Sequence, residues 1–185
     1  MKKILILSCG PGLNEIREEF GHAPDWIKSC VNKSDFEFSS IDVYKGEMPN
    51  LFNFDSWIIT GSSYSVYEDK PWIVELEESI KKAIDIEIPI LGICFGHQLI
   101  AQALGGRVER NIKGWELGSY KMNQIIDNEL FTNVDFDDVF YNSHQDIVTL
   151  LPDGFISIAE NNMGNQSYCY GKRIFGVQFH PEFTH

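Results

Sequence analysis

Two short segments carry residue types and spacings that can break a carbonyl bond. The first is Gly92-Ile93-Cys94-Phe95-Gly96-His97-Gln98, set between an apolar run and a stretch of helical period. Its G-x-C-x-G form is the cysteine counterpart of the nucleophile elbow, a strained strand-to-helix turn whose glycines make room for a tight approach. The helix that follows aims its N-terminal amides and the positive end of its dipole at the sulfur, which favours thiolate over thiol. The Phe95 N–H is then placed to bind a developing oxyanion. A cysteine without such a setting is usually a small, inert, buried residue. The paired glycines shift the reading toward a nucleophile.

The second segment is Phe175-Gly176-Val177-Gln178-Phe179-His180-Pro181-Glu182. In extended chain, residues i and i+2 point to the same side. Glu182 can therefore hold one imidazole nitrogen of His180 while the other faces Cys94, with Pro181 restricting the backbone between them. Alone, this pair reads equally well as a strand-end histidine beside a solvated glutamate. Together with the Cys94 turn it supplies the base and orienter of a hydrolytic triad. His144 is a rival base, but His180 has the better glutamate and strand context. His97, one helical turn past Cys94, reads as structural. His22 and His185 have no supporting context.

The elements that must position these groups alternate between strand and helix. Ile4–Leu7, Phe36–Val43 and Ser56–Thr60 read as strands, the last ending at Gly61. Glu15–Lys28 is partly helical, interrupted by Gly21 and Pro24. Pro71 suits the first turn of a helix, and Trp72, Leu76, Ile80 and Ala83/Ile84 give that helix an apolar face as far as Asp85. Pro89–Ile93 is a nearly all-apolar strand, and the helix through Leu99–Leu104 stops at Gly105-Gly106. After Arg107 strands predominate: Val108–Ile112, Gly118–Ile126, Val139–Tyr141, Ile156–Ala159, Ser167–Tyr170 and Ile174–Phe179. The pattern predicts one α/β domain over residues 1–185, with a central, mainly parallel sheet and a strand-rich second half containing antiparallel pairs.

Composition excludes several classes of function. The 185 residues are 43% hydrophobic and 23% charged, an ordinary globular balance. With 27 acidic and 15 basic side chains the net charge is −12, and no basic patch stands out. Nucleic acid and anionic membrane are poor partners for such a chain. Cys9, Cys30, Cys94 and Cys169 form no C-x-x-C pair, so no metal site is expected, and their scatter fits the reduced thiols of a cytoplasmic protein. Met1-Lys2-Lys3 ahead of Ile4–Leu7 and Cys9 imitates a lipoprotein signal. Its apolar run is shorter than the roughly 7–15 residues a signal peptide needs, and a buried first strand is the better reading.

The Cys94 and His180 segments resemble the two catalytic motifs of the class I, triad-type glutamine amidotransferases, and the resemblance runs from Ile4 to Glu182. Within that family, Ile59-Thr60-Gly61-Ser62-Ser63-Tyr64-Ser65-Val66 and Lys113-Gly114-Trp115-Glu116-Leu117-Gly118 look closest to stand-alone, GMP-synthase-like members and to γ-glutamyl peptidases. The resemblance implies a three-layer, flavodoxin-like fold with helices on both faces of the sheet. It implies Cys94, His180 and Glu182 as the triad and the amides of Ser62 and Phe95 as oxyanion donors. Gly61 allows the oxyanion turn; the family has a second glycine where Ser62 stands, a change that a positive φ would resist. Gln98 matches a family glutamine near the substrate, the alternative being a first-turn helix cap. Asn142-Ser143-His144-Gln145-Asp146 matches a loop lining the same pocket, which makes Ser143 and His144 candidates. Trp115 is either core or pocket wall. The family pattern continues into a closing helix, whereas this sequence ends three residues after Glu182, implying a less buttressed His180.

The implied reaction is attack of Cys94 on the γ-carbonyl of glutamine or a γ-glutamyl compound, through a thioester, without metal or organic cofactor. Three readings follow. One is a glutaminase subunit feeding ammonia to a separate synthetase, since no synthetase domain is present in the sequence. Another is a γ-glutamyl peptidase acting on conjugates. The last is a degenerate, glutamine-binding regulatory domain, which the intact Cys94, His180 and Glu182 argue against.

Overall fold

The computed structural model describes residues 1–31 and 35–183. In chain order, β1 (Lys2–Ser8) leads through α1 (Asn14–Phe20) and α2 (Ala23–Cys30) to β2 (Phe36–Asp42). β3 (Ser56–Ile59), α3 (Pro71–Asp85), β4 (Ile90–Ile93) and α4 (Phe95–Ala103) follow. Eight strands come next: β5 (Arg107–Arg110), β6 (Glu116–Tyr120), β7 (Asn123–Gln124), β8 (Phe140–His144), β9 (Asp146–Leu150), β10 (Ile156–Asn161), β11 (Gly164–Tyr170) and β12 (Ile174–Val177).

The main sheet has the order β2-β1-β3-β4-β12-β11-β10-β7. Its first five strands are mutually parallel and its last three antiparallel. The central parallel strands are covered on both faces, so they read as continuous apolar runs; Leu5, Ile6 and Leu7 are essentially sealed from water. On one face α3 and α4 pack Trp72, Leu76, Ile80, Leu99 and Ile100 against Leu5, Leu7, Trp57 and Ile59. On the other, Ile27 of α2 joins Ile6, Ile93 and Val177, and Phe131, Phe136, Phe140 and Phe179 complete the cover. The layers are those the sequence implies, although aromatic side chains from 130–140 stand in for part of the second helical layer.

Local chemistry explains most boundaries. Pro71 opens α3, where a missing N–H costs nothing. The partly helical stretch after Glu15 resolves into two helices, divided at Gly21, whose φ is 83°. His22 begins the second: its N–H donates to the Asp25 carboxylate at 3.2 Å and its Nε2 lies 2.8 Å from the Gly10 carbonyl oxygen. It therefore has a structural context that the sequence did not suggest, whereas His185 lies outside the described residues.

Two differences fall in the second half. The segment read as a pocket loop is the end of β8, the single residue Gln145 and the start of β9, a strand the pattern did not predict. β8 pairs with β6 and β9 with β5, in separate two-stranded ribbons, so tertiary pairing rather than local propensity sets this turn. The strand expected over 118–126 is also broken, into β6 and β7. The strand expected to reach Ile112 stops at Arg110, leaving Ile112 fully exposed.

Candidate active site

Cys94 occupies the turn between β4 and α4 with φ 52° and ψ −102°. A non-glycine residue held there stores roughly 1–3 kcal/mol of backbone strain. The turn survives because its surroundings fix it. The Cys94 N–H donates to the Val177 carbonyl on β12 at 2.8 Å, and its own carbonyl accepts the Gln98 N–H at 3.1 Å. The flanking glycines serve close approach: a Cβ on Gly92 would lie 2.5 Å from the Gly96 carbonyl, and one on Gly96 would strike the backbone of Ile59. Phe95, Gly96 and His97 open α4, where backbone N–H groups lack helical acceptors.

His180 arrives by register. β12 runs parallel to β4 with Val177 opposite Ile93, so the chain leaves both strands at the same edge of the sheet. The His180 N–H donates to the Tyr141 carbonyl at 2.8 Å, and its ring stacks on Phe183 with centroids 4.2 Å apart. Its Nδ1 lies 2.8 Å from Glu182 Oε1, which leaves Nε2 for the Cys94 side. His180 is only 8% and Glu182 5% exposed. Burial opposes charge on His180, but the Cys94 sulfur and the Glu182 carboxylate outweigh it and carry the pKa up to about 10. The arrangement can hold a proton beside the sulfur and release it to a leaving group.

The turn after β3 closes over this pair. A Cβ on Gly61 would lie 2.9 Å from His180 Cε1 and 3.5 Å from Cys94 Cβ. Gly61 does not have a positive φ, and neither does Ser62. Glycine is required at 61 for space rather than conformation, and serine sits at 62 without strain. The Ser62 hydroxyl donates to the Cys9 carbonyl at 2.7 Å and accepts the Tyr64 N–H. Any contact Ser62 makes toward Cys94 therefore falls to its backbone N–H.

The remaining sequence candidates fare differently. Gln98 is 3% exposed and does not cap α4; its Nε2 donates to the Asp146 carbonyl at 2.8 Å and to Gln178 Oε1 at 3.0 Å. Only its Oε1 is left for a substrate. His144 is not a free pocket donor: Nδ1 lies 3.1 Å from the Asp146 carbonyl oxygen and Nε2 lies 3.0 Å from Glu116 Oε2. Ser143 stays partly exposed in β8. Trp115 is 59% exposed, which removes it from the core. His97 is structural in its contacts: it stacks on Tyr168, whose hydroxyl donates to the His97 carbonyl, and burial pushes its pKa down to about 3. An apolar cavity of about 390 Å³ opens beside His180, walled by residues such as Leu91, Phe131, Val139 and Phe140. It suits hydrocarbon rather than the charged head of an amino acid.

Sequence reasoning placed Asp146 in the pocket-lining segment and Glu116 and Gln178 within family-like motifs, but gave none of the three a role of its own. Gln178 lies in the His180 motif, just past the end of β12 at Val177, and that motif was the available signal. Asp146 and Glu116 lie in motifs quoted from the sequence, but their partners come from distant strands and loops.

The model of the family "Glutamine amidotransferase class-I" matches residues 25–185. The chain belongs to this family. Among class I glutamine amidotransferases and their kin, gamma-glutamyl peptidase 4 of Arabidopsis thaliana is 31% identical over 192 residues, covering 99% of this chain and 76% of that protein. The glutamine-hydrolysing GMP synthase of Malacoplasma penetrans is 42% identical over 189 residues, covering 100% of this chain but 34% of that protein. A solved glutamine amidotransferase from Thermotoga maritima superposes with a TM-score of 0.83 at 26% identity, covering 98% of this chain and 76% of that one. A class I amidotransferase is an enzyme.

Proposed function

We propose that the protein hydrolyses the γ-amide of glutamine through a γ-glutamyl thioester on Cys94. The observation that carries this reading is the strained Cys94 turn set against the buried His180–Glu182 pair. The Cys94 thiolate attacks the γ-carbonyl, and the Ser62 and Phe95 N–H groups receive the oxyanion. His180 gives its proton to the departing nitrogen as the C–N bond breaks, so ammonia leaves and the thioester remains. Water then loses a proton to His180 and attacks the thioester, which releases glutamate and restores the thiolate. Glu182 holds the imidazole and balances its charge. The GMP synthase relatives favour delivery of the ammonia to a synthetase.

A second reading has an observation of its own. Relatives matching over most of their length are γ-glutamyl peptidases, at 76% and 72% of those proteins, whereas GMP synthases match over about a quarter to a third. On that reading the same thioester forms and an amine or peptide leaves in place of ammonia. Purified protein incubated separately with glutamine and with γ-glutamyl dipeptides decides between them by glutamate release. Release from glutamine is expected; release from dipeptides alone transfers the assignment to the peptidase. An electrophilic glutamine analogue should add to Cys94 by intact mass, and unlabelled Cys94 in folded protein would refute both.

A further inference from the structure

Neither polar contact of His180 described above fixes the plane of its ring. The backbone N–H donates to the Tyr141 carbonyl, which holds the main chain. Nδ1 lies 2.8 Å from Glu182 Oε1, which holds one nitrogen. An imidazole tethered at one point can still turn about that contact, because the outer torsion of histidine is broad. Nε2 must nevertheless stay aimed at Cys94 if a proton is to pass between them. Phe183 supplies the missing restraint. Its ring lies parallel to the imidazole, with 5° between the planes and centroids 4.2 Å apart. Rotation of the imidazole out of that plane would drive its edge into the phenyl ring.

Phe183 is itself held. Its N–H donates to the His180 carbonyl at 3.3 Å, closing a tight turn through Pro181 and Glu182. Trp26 meets its ring edge-on, with centroids 5.9 Å apart and planes at 76°. Trp26 is fixed in turn by its indole N–H, which donates to the Phe20 carbonyl at 2.7 Å, and by its neighbour Ile27, buried against the sheet. The stack therefore runs from α2, near the start of the chain, to the imidazole near its end. The titratable groups acting on that imidazole are Cys94 from the β4–α4 turn and Glu182 from its own segment. Tyr141 of β8 meets His180 through its carbonyl, and α2 brings Cys30, whose Sγ lies 4.0 Å from the Pro181 and Glu182 carbonyl oxygens. Phe183 adds an uncharged face, and an aromatic face within about 6 Å attracts a cation.

We propose that Phe183 is a positioning residue for the hydrolysis: its ring, backed by Trp26, fixes the plane of the His180 imidazole and keeps Nε2 aimed at Cys94. The positioning role rests on the glutaminase reading above; the hold of the stack on the His180 proton does not. Phe183→Leu keeps the apolar bulk and removes the ring. Folded, it should lose kcat for glutamate release about tenfold with KM within about twofold, because the defect lies in aim rather than in substrate contacts. Phe183→Tyr keeps the ring and should stay within about twofold of wild type in both. Histidine-labelled protein gives a second readout, with His180 assigned by the signal lost in His180→Gln. The pH at which its imidazolium loses a proton should fall by about half a unit in Phe183→Leu and hold in Phe183→Tyr. Wild-type kcat in folded Phe183→Leu overturns the proposal, as do equal losses in the two variants or an unmoved titration. If Phe183→Leu does not fold, Trp26→Leu withdraws the backing and should lower kcat about threefold; unchanged kcat there also overturns it. Wild-type protein that neither releases glutamate nor reacts with the electrophilic analogue ends the glutaminase reading and the positioning role together, while the titration judges the stack on its own.

Discussion

His180–Glu182 and His144–Glu116 are two buried histidine–glutamate pairs with nearly equal contact distances, 2.8 and 3.0 Å. They differ in what faces the second imidazole nitrogen. For His180 that side belongs to the Cys94 sulfur, a group that can take a proton and give it back. For His144 it is a backbone carbonyl, which can only accept. The first pair has a neighbour with which it can exchange a proton, and the second has none on that side. The pairs also differ in construction. The first lies in the turn after β12, which ends at Val177 rather than reaching Phe179 as expected; the second spans a two-stranded ribbon in register. A histidine–glutamate contact therefore has no fixed meaning, and the group beyond it determines whether the pair acts or braces.

The most severe test of this contrast is to remove each histidine. His180→Ala, like Cys94→Ala, should abolish glutamate release by about 10⁴-fold or more, against about tenfold for His144→Gln. Comparable kcat losses in the two histidine variants, measured on protein of verified fold, would erase the distinction. Next in size is Gly61→Ala, whose methyl would press on His180 Cε1 and Cys94; kcat should fall about 100-fold while the melting temperature stays close to wild type. A large drop in melting temperature would mean that Gly61 serves the fold instead.

The pH dependence of stability sharpens the comparison from the other side. His180 titrates near 6.5 when unfolded and at about 10 when folded. Its raised pKa contributes stability that is complete below about 6.5, shrinks as pH rises and is gone above about 10. Wild-type melting temperature should fall across that window more steeply than that of Cys94→Ala, which lacks the charge chiefly responsible for the shift. Parallel curves would show that Cys94 does not bear on His180. A smaller effect is expected beneath the turn: Tyr168→Phe leaves the buried His97 carbonyl without its hydroxyl partner and should cost about 1 kcal/mol in denaturant unfolding. The smallest is Trp115→Ala, within about 0.5 kcal/mol in stability because its ring is in solvent. A rise in KM there would make Trp115 a pocket wall, and an unchanged KM would end its candidacy.

The first half of the fold was legible because its signals are local. Continuous apolar runs marked β1, β3 and β4, Pro71 marked the start of α3, and Gly92 and Gly96 marked the turn. The Cys94 and His180 segments were legible because each packs its chemistry into a few adjacent residues. The second half hid more. β9 follows β8 after one residue and pairs elsewhere, so nothing in residues 142–150 announces the break. Glu116 was hidden by an inverted pattern: Trp115 and Leu117 face out and the acid faces in, the reverse of what alternation leads one to expect. Its partners come from β8, β10 and β11, so only the folded chain reveals why a carboxylate is tolerated there.

The place of β12 in the sheet carries a consequence for timing. It is the last strand in sequence among the described residues, yet it lies between β4 and β11. Until it inserts, β4 has no neighbour on that side, and the Cys94 N–H lacks the Val177 carbonyl that helps hold it in its strained turn. During synthesis, then, Cys94 is made well before the histidine proposed to serve it. The step that fills the gap beside β4 is also the one that brings His180 to the sulfur.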